Sequence, residues 1–259
     1  MSTILFDQIV YGPVHSRRLG LSLGINLFPA DGKLCNFNCI YCELGYNEDH
    51  RTQSNLPTRS QVHDALQTKL MQLKAEGITP DVITFSGNGE PTIHPDFPGI
   101  IEDTLSIRNE IFPQTRVAVL SNSTTIEKIE VFRALLQVDE HIMKLDGTTD
   151  ELIRQINDPN VPGFTYERLL KNLQKFNGNL TVQSIFLRGE RDGQVIDNTT
   201  PENIDRWIEA LQLICPSKVM IYTIARETPL HTLEKIGKAE MDAIANRVRS
   251  LGFEVSVSY

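Results

Sequence analysis

Cys35-Asn36-Phe37-Asn38-Cys39-Ile40-Tyr41-Cys42 holds three of the four cysteines of this 259-residue chain, spaced C-x3-C-x2-C. Three thiolates so close together can grip one metal centre. An iron-sulfur cluster is usually held by four cysteines, so a compact triad leaves one iron free to bind a substrate or a cofactor. Zinc is the second reading, with His50 completing a tetrahedron of three thiolates and one imidazole. A disulfide framework fits poorly, because such frameworks belong to small secreted chains and this one has few cysteines and length enough for a core.

Working outward, the composition narrows the class. A chain of this length suits one large domain, and α/β barrels of about 200–250 residues are commonly single domains. With no linker, repeat or low-complexity tract, residues 1–259 are expected to form one domain. No apolar run approaches the ~20 residues that span a bilayer, and the chain opens without a signal-peptide pattern. A cytoplasmic protein without a membrane partner is expected. The 25 Lys and Arg against 33 Asp and Glu leave a net charge of −8, which weakens broad nucleic-acid binding, since phosphate contacts need clustered basic residues. Arg17-Arg18 is one local basic patch.

Around the cysteines, β-type and helical patterns alternate. Apolar alternation from Leu19 to Leu27 predicts a strand that delivers the cysteine loop at its C-terminal end. Ser60 reads as an N-cap for a helix through Val62, Leu66, Leu70 and Leu73 that Gly77 stops. Further strands are predicted over 81–86, 117–122, 141–146, 180–187, 218–223 and 253–257, with helices over about 95–110, 125–137, 169–178, 201–211 and 238–251 between them. Thr200 caps the helix that begins at Pro201. Six or seven strands alternating with helices imply an α/β fold with parallel pairing and right-handed crossovers.

Polar motifs sit where these strands end. Ser86-Gly87-Asn88-Gly89-Glu90-Pro91-Thr92 pairs two glycines, which let the backbone turn and approach a ligand, with a carboxylate. The same pattern also serves as a plain helix entry. Asn122 follows one strand, and Lys144 and Asp146 close the next, where Lys144 either pairs with Asp146 or meets an anionic substrate. Ser123, Thr124 and Thr125 read equally as helix caps. Gln183, Ser184 and Arg188 mark the following strand, and Tyr222 to Arg226 the one after it. Cys215 stands alone and reads as a small buried hydrophobe.

The cysteine spacing, the aromatic Tyr41 before the last cysteine and the Gly87–Thr92 loop together resemble the radical S-adenosylmethionine (SAM) superfamily. Tyr11 to Gly20, Cys35 to Gly45, Gly87 to Thr92, and Lys144-Leu145-Asp146 through Ile156-Asn157-Asp158-Pro159 resemble its iron-sulfur oxidoreductase group related to 4-demethylwyosine synthase, as scattered motifs over roughly residues 10–225. The resemblance implies a partial (β/α)6 barrel, open on one side, with its chemistry in the βα loops. It implies that Cys35, Cys39 and Cys42 hold a [4Fe-4S] cluster, and that Gly87, Asn88, Gly89, Glu90 and Pro91 hold the SAM amino group, Asn88 standing where the family has a glycine. It places Tyr41, Asn122, Asp146, Gln183 and Ser184 around SAM or the substrate, and Arg188 on the SAM carboxylate, which a guanidinium fork suits. The implied reaction is reductive cleavage of SAM to a 5′-deoxyadenosyl radical that abstracts hydrogen from a substrate the sequence does not name. Flavodoxin or ferredoxin is the implied electron donor, with Lys33 and Arg17-Arg18 as a docking patch. The wyosine enzyme acts on tRNA through a second cluster held by upstream cysteines, and no cysteine precedes Cys35, so tRNA is not the favoured partner. Two alternatives stand beside this reading: a glycyl-radical-enzyme activase-like protein, or a non-catalytic iron-sulfur or zinc-binding protein.

Overall fold

The computed structural model describes residues 5–49 and 54–259. Ile4, where the opening segment begins, and His50, the fourth ligand of the zinc reading, lie outside the described residues.

Among the described residues, ten strands and seven α-helices follow in chain order. The strands are β1 (Val10–Ser16), β2 (Gly20–Ile25), β3 (Val82–Phe85), β4 (Arg116–Ser121), β5 (Glu140–Lys144), β6 (Thr181–Arg191), β7 (Gln194–Asp197), β8 (Lys218–Thr223), β9 (Glu234–Lys235) and β10 (Val255–Ser258). The helices are α1 (Arg59–Ala75), α2 (Phe97–Ile111), α3 (Ile129–Leu135), α4 (Asp150–Asn157), α5 (Tyr166–Gln174), α6 (Pro201–Ile214) and α7 (Lys238–Arg249). Strands β2, β3, β4, β5, β6, β8 and β10 pair in that order and in parallel, while β1 lies antiparallel on β2. Because β1 and β10 end the path and do not pair with each other, the curled sheet is a half-barrel with an open side.

Strand alternation divides this sheet into two environments. One face packs on the helices through Ile83, Phe85, Val117, Val119, Met143, Leu145, Val182, Phe186, Val219 and Ile221, against Leu66, Leu70 and Leu73 of α1 and Trp207 and Leu211 of α6. Burying each such side chain contributes about 1.5–3 kcal/mol. The concave face carries a small apolar floor of Leu19, Val82, Ala118, Ile142 and Met220, with polar side chains above it.

Local details differ from the sequence expectations for identifiable reasons. Helix α1 is capped by Thr58 rather than Ser60, in a capping box with Gln61: a T-x-x-Q pattern that satisfies two end groups reciprocally. Helix α3 starts at Ile129, four residues later than about 125, because Lys128 is its N-cap. The short helix α4 was not expected, although Thr149 caps it through Leu152 N–H and its first turn carries Asp150 and Glu151. Strand β6 runs past Leu187 into a hairpin with β7. The Asp192-Gly193 pair makes that turn with φ of 54° and 78°, the left-handed conformation that favours such pairs in tight hairpins.

Candidate active site in the half-barrel

The cysteine loop is fixed by main-chain bonds to two segments, residues 156–160 and Leu230. Asn38 N–H donates to Asn157 O at 2.8 Å, Ile40 N–H to Ile156 O at 3.0 Å, Asn160 N–H to Asn36 O at 2.8 Å, and Leu230 N–H to Ile40 O at 3.3 Å. Asn47 Nδ2 adds bonds to the carbonyls of Cys35 and Phe37, each at 3.1 Å. A loop so held presents its sulfurs in a defined arrangement. Cys39 is buried, and Cys35 and Cys42 are half-buried.

Donors reach two of these sulfurs. Phe37 N–H lies 3.4 Å from Cys35 Sγ and Asn157 Nδ2 lies 3.4 Å from Cys39 Sγ. Burial pushes both thiols above their ordinary range, so the protein alone favours the neutral thiol, and a bound cation is what such a site needs to hold thiolates.

The Gly87–Pro91 loop meets the segment leading into the cysteines edge to edge. Leu34 N–H donates to Asn88 O at 2.8 Å and Glu90 N–H to Leu34 O at 3.2 Å. A Cβ on Gly89 would stand 1.7 Å from Leu34 O, so only glycine permits the approach. Asn88 differs from expectation. Its side chain is fully buried and turned away, bonded to both the N–H and C=O of Phe6 and to Pro29 O. It anchors the opening segment, and only its backbone faces the cysteine side.

Glu90 is likewise engaged. Its carboxylate accepts from Thr92 N–H at 3.2 Å, Thr92 Oγ1 at 2.5 Å and Asn122 N–H at 2.7 Å. Burial pushes it up against these bonds. Asn122 in turn donates through Nδ2 to Asn36 Oδ1 at 2.6 Å, so Glu90, Asn122 and Asn36 tie the ends of β3 and β4 to the cysteine loop.

Asp146 organises the opposite wall. Its carboxylate, fully shielded from solvent, accepts from Tyr41 Oη, from Asn157 Nδ2 at 2.7 Å and from Ile185 N–H at 3.1 Å. Lys144 Nζ stands 3.6 Å from it and donates to Tyr41 Oη at 2.7 Å. Burial pulls the Lys144 ammonium down, but Asp146, Tyr222 and Cys39 together outweigh it and hold the amine well above its usual value. Tyr41 thus bridges the cysteine loop and the end of β5.

Strand alternation corrects two assignments on β6. Gln183 pairs in register with Lys144 on the concave side, whereas Ser184 faces the helices, where its hydroxyl accepts from Trp207 Nε1 at 2.9 Å. Arg188 shares the face of Ser184 and Phe186. Its guanidinium is held by Asp197 at 3.3 Å, by Thr199 and by Glu240 of α7, not turned to the cysteine loop. Lys33 and Arg18 do not form the expected surface patch. Lys33 is 4 % exposed, with Nζ on Gly45 O at 2.7 Å, and Arg18 stacks inward on Tyr222. Arg226 is exposed and paired with Glu43 at 2.5 Å. Cys215, expected to be buried, is exposed at the left-handed C-cap of α6.

Sequence reasoning missed Asn157 and Asn36 as individual side chains. Asn157 sits at the end of α4 before Asp158, which takes a left-handed φ of 44°. The Asn-Asp-Pro run carries that turn signal.

Known proteins resemble this chain in sequence and in fold. Residues 31–199 match the model of the Radical SAM superfamily. The UPF0026 protein slr1464 of Synechocystis is 34% identical over 227 residues, covering 85% of this chain and 77% of that protein. A GTPase Obg of Brachyspira hyodysenteriae is 29% identical over 90% of this chain, which spans only 32% of that protein's length. Among solved structures, SuiB of Streptococcus suis bound to S-adenosylmethionine superposes with a TM-score of 0.63 at 13% identity, over 88% of this chain and 49% of that one. TYW1 with a lysine-pyruvate adduct bound superposes at 0.60 and 15% identity, over 88% and 73%. The half-barrel, the three-cysteine loop on its first βα connection and these matches place the chain in the radical SAM superfamily, with the UPF0026 proteins.

Proposed function

We propose that Cys35, Cys39 and Cys42 hold a [4Fe-4S] cluster and that the facing loop Gly87–Pro91, with Tyr41, Asn122, Asp146 and Gln183 around it, forms the SAM site. As a radical SAM superfamily member the protein is an enzyme that uses SAM, an iron-sulfur cluster, a reductant and a substrate. The observation that carries the assignment is the convergence of the cysteine loop and the Gly87–Pro91 loop through Leu34 and Gly89.

The donor set fits the cluster. A cluster offers each thiolate its own iron, and N–H groups on the sulfurs tune its potential. When bound and reduced, such a cluster supplies the electron that cleaves SAM to methionine and a 5′-deoxyadenosyl radical, which takes hydrogen from the substrate.

The chain's own contribution is position. Asn157 and Phe37 direct donors at the sulfurs, Gly89 lets the second loop approach, and Tyr41 with Asp146 closes the wall toward β5. The concave face, with Lys144, Gln183 and Tyr222, is the substrate side. A flavodoxin or ferredoxin as reductant, a cytoplasmic location and a single core domain over residues 1–259 belong to the same proposal. The chain contains no helix long and apolar enough to cross a membrane among its described residues.

Anaerobic reconstitution with iron and sulfide, reduction and addition of SAM tests the assignment. The expected product is 5′-deoxyadenosine from the wild type and none from Cys39→Ala. Equal yields from the two proteins, or no cluster absorption in the wild type, overturn it.

A further inference from the structure

Two cations meet on one phenol inside the half-barrel. Arg18 places its guanidinium carbon 4.7 Å from the centroid of the Tyr222 ring, while Lys144 Nζ lies 3.5 Å from Tyr222 Oη and 2.7 Å from Tyr41 Oη. The two residues come from opposite parts of the fold, the β1–β2 turn and the end of β5. Arg18 is drawn inward by its neighbour Leu19, which is 8 % exposed and packs in the concave floor with Val82, Ala118, Ile142 and Met220. Arg17 turns the other way and donates to Tyr259 O at 2.9 Å.

Their charges are unequally matched. Lys144 stands 3.6 Å from Asp146 and is balanced by it. Arg18 has no carboxylate within ion-pair distance among the described residues; its contact is the Tyr222 face. A half-buried guanidinium on an aromatic face, with no counter-ion among the described residues, keeps its planar fork of donors available. It stands beside the concave face that the cysteine loop overlooks, since Tyr41 of that loop touches Lys144.

We propose that Arg18, Lys144 and Tyr222 form the site for a carboxylate group of the substrate. After Lys144 and Asp146 cancel, one positive charge remains, which matches a monoanion rather than a dianionic phosphate. The guanidinium fork accepts a carboxylate through two parallel bonds, and the Tyr222 hydroxyl supplies a third polar contact. Reading this anion as the substrate's rests on the radical SAM assignment above, whereas the site itself stands on charge and geometry.

The test is anion binding to the full-length, anaerobically reconstituted protein, read by saturation-transfer NMR. Benzoate, its neutral counterpart benzyl alcohol and inorganic phosphate are titrated separately. Benzoate is expected to bind saturably and more tightly than either of the others. Arg18→Gln, with a circular dichroism spectrum like the wild type, is expected to weaken benzoate roughly tenfold or more, Arg18→Lys to recover part of that, and Arg17→Gln to change nothing. Equal benzoate affinity in Arg18→Gln, or phosphate or benzyl alcohol binding as tightly as benzoate, overturns the proposal. Formation of 5′-deoxyadenosine by the wild type is measured separately, so a failed benzoate site together with successful cleavage sinks only the substrate class.

Discussion

Asn157 donates its side-chain amide to Cys39 Sγ across 3.4 Å, joining residues 118 apart in the chain. The same Nδ2 lies 2.7 Å from Asp146 Oδ2, so one amide links the cysteine loop to the carboxylate at the end of β5.

Replacing Asn157 with Ala removes both contacts at once. Asp146 loses a buried donor, which costs about 1–3 kcal/mol of stability, and an N–H···S bond that favours the more negative, reduced state is lost. Denaturant unfolding should show the loss of stability, and redox titration of the reconstituted protein should show a more negative midpoint potential. An unchanged potential with an intact cluster would remove Asn157 from the site.

Gly89→Ala is expected to disturb the cysteine loop from a distance. A methyl group 1.7 Å from Leu34 O cannot be accommodated without separating the two loops, and backbone on backbone has little freedom to yield. Iron and sulfide content after reconstitution should fall well below the wild type. Gly193→Ala is the control, since a Cβ there meets nothing within 4 Å, so only the local backbone of the β6–β7 turn is strained.

Ser184 separates structure from chemistry on β6. Its hydroxyl accepts from Trp207 Nε1 and donates to Leu145 O, so Ser184→Ala should cost about 1–3 kcal/mol through the buried indole N–H left without a partner. SAM affinity, measured by equilibrium dialysis on the reconstituted protein, should be unchanged. A SAM affinity that falls with the stability would put Ser184 back among the ligand contacts.

Stability should also depend on pH through two histidines remote from the cysteines. Burial pushes His94 and His141 below their ordinary value of 6.5. Between the lowered folded value and 6.5 the unfolded chain binds more protons than the folded one. Their contribution is therefore complete above about 6.5 and is lost as pH falls through the folded values. His141 stacks on Phe176 with centroids 4.9 Å apart and bonds to Asn179 O. Unfolding free energies measured from pH 7.5 down to 5 should decline in the wild type and decline less steeply in His141→Gln.

The local spacing of residues was enough to locate the three cysteines, the glycine loop after the second parallel strand, and the alternation that makes an α/β sheet. These are short-range properties: ligand spacing within one loop, and apolar periods of two or near four that each element needs to bury one face. The order of strands along the chain also carried the placement of Asn122 and Asp146 at strand ends. Which way a side chain points depends on register. Ser184 and Gln183 are equivalent as polar neighbours until the parallel pairing with β5 and β8 sets Gln183 beside Lys144 and Ser184 against Trp207. Arg188 looked free until α7 brought Glu240 to it, and the Arg17-Arg18 pair looked like one surface patch until Leu19 entered the floor and carried Arg18 inward. Contacts of this kind join residues tens to more than a hundred positions apart. They exist only once the sheet has curled, because burial on a concave face is a property of the curled surface and not of any one segment.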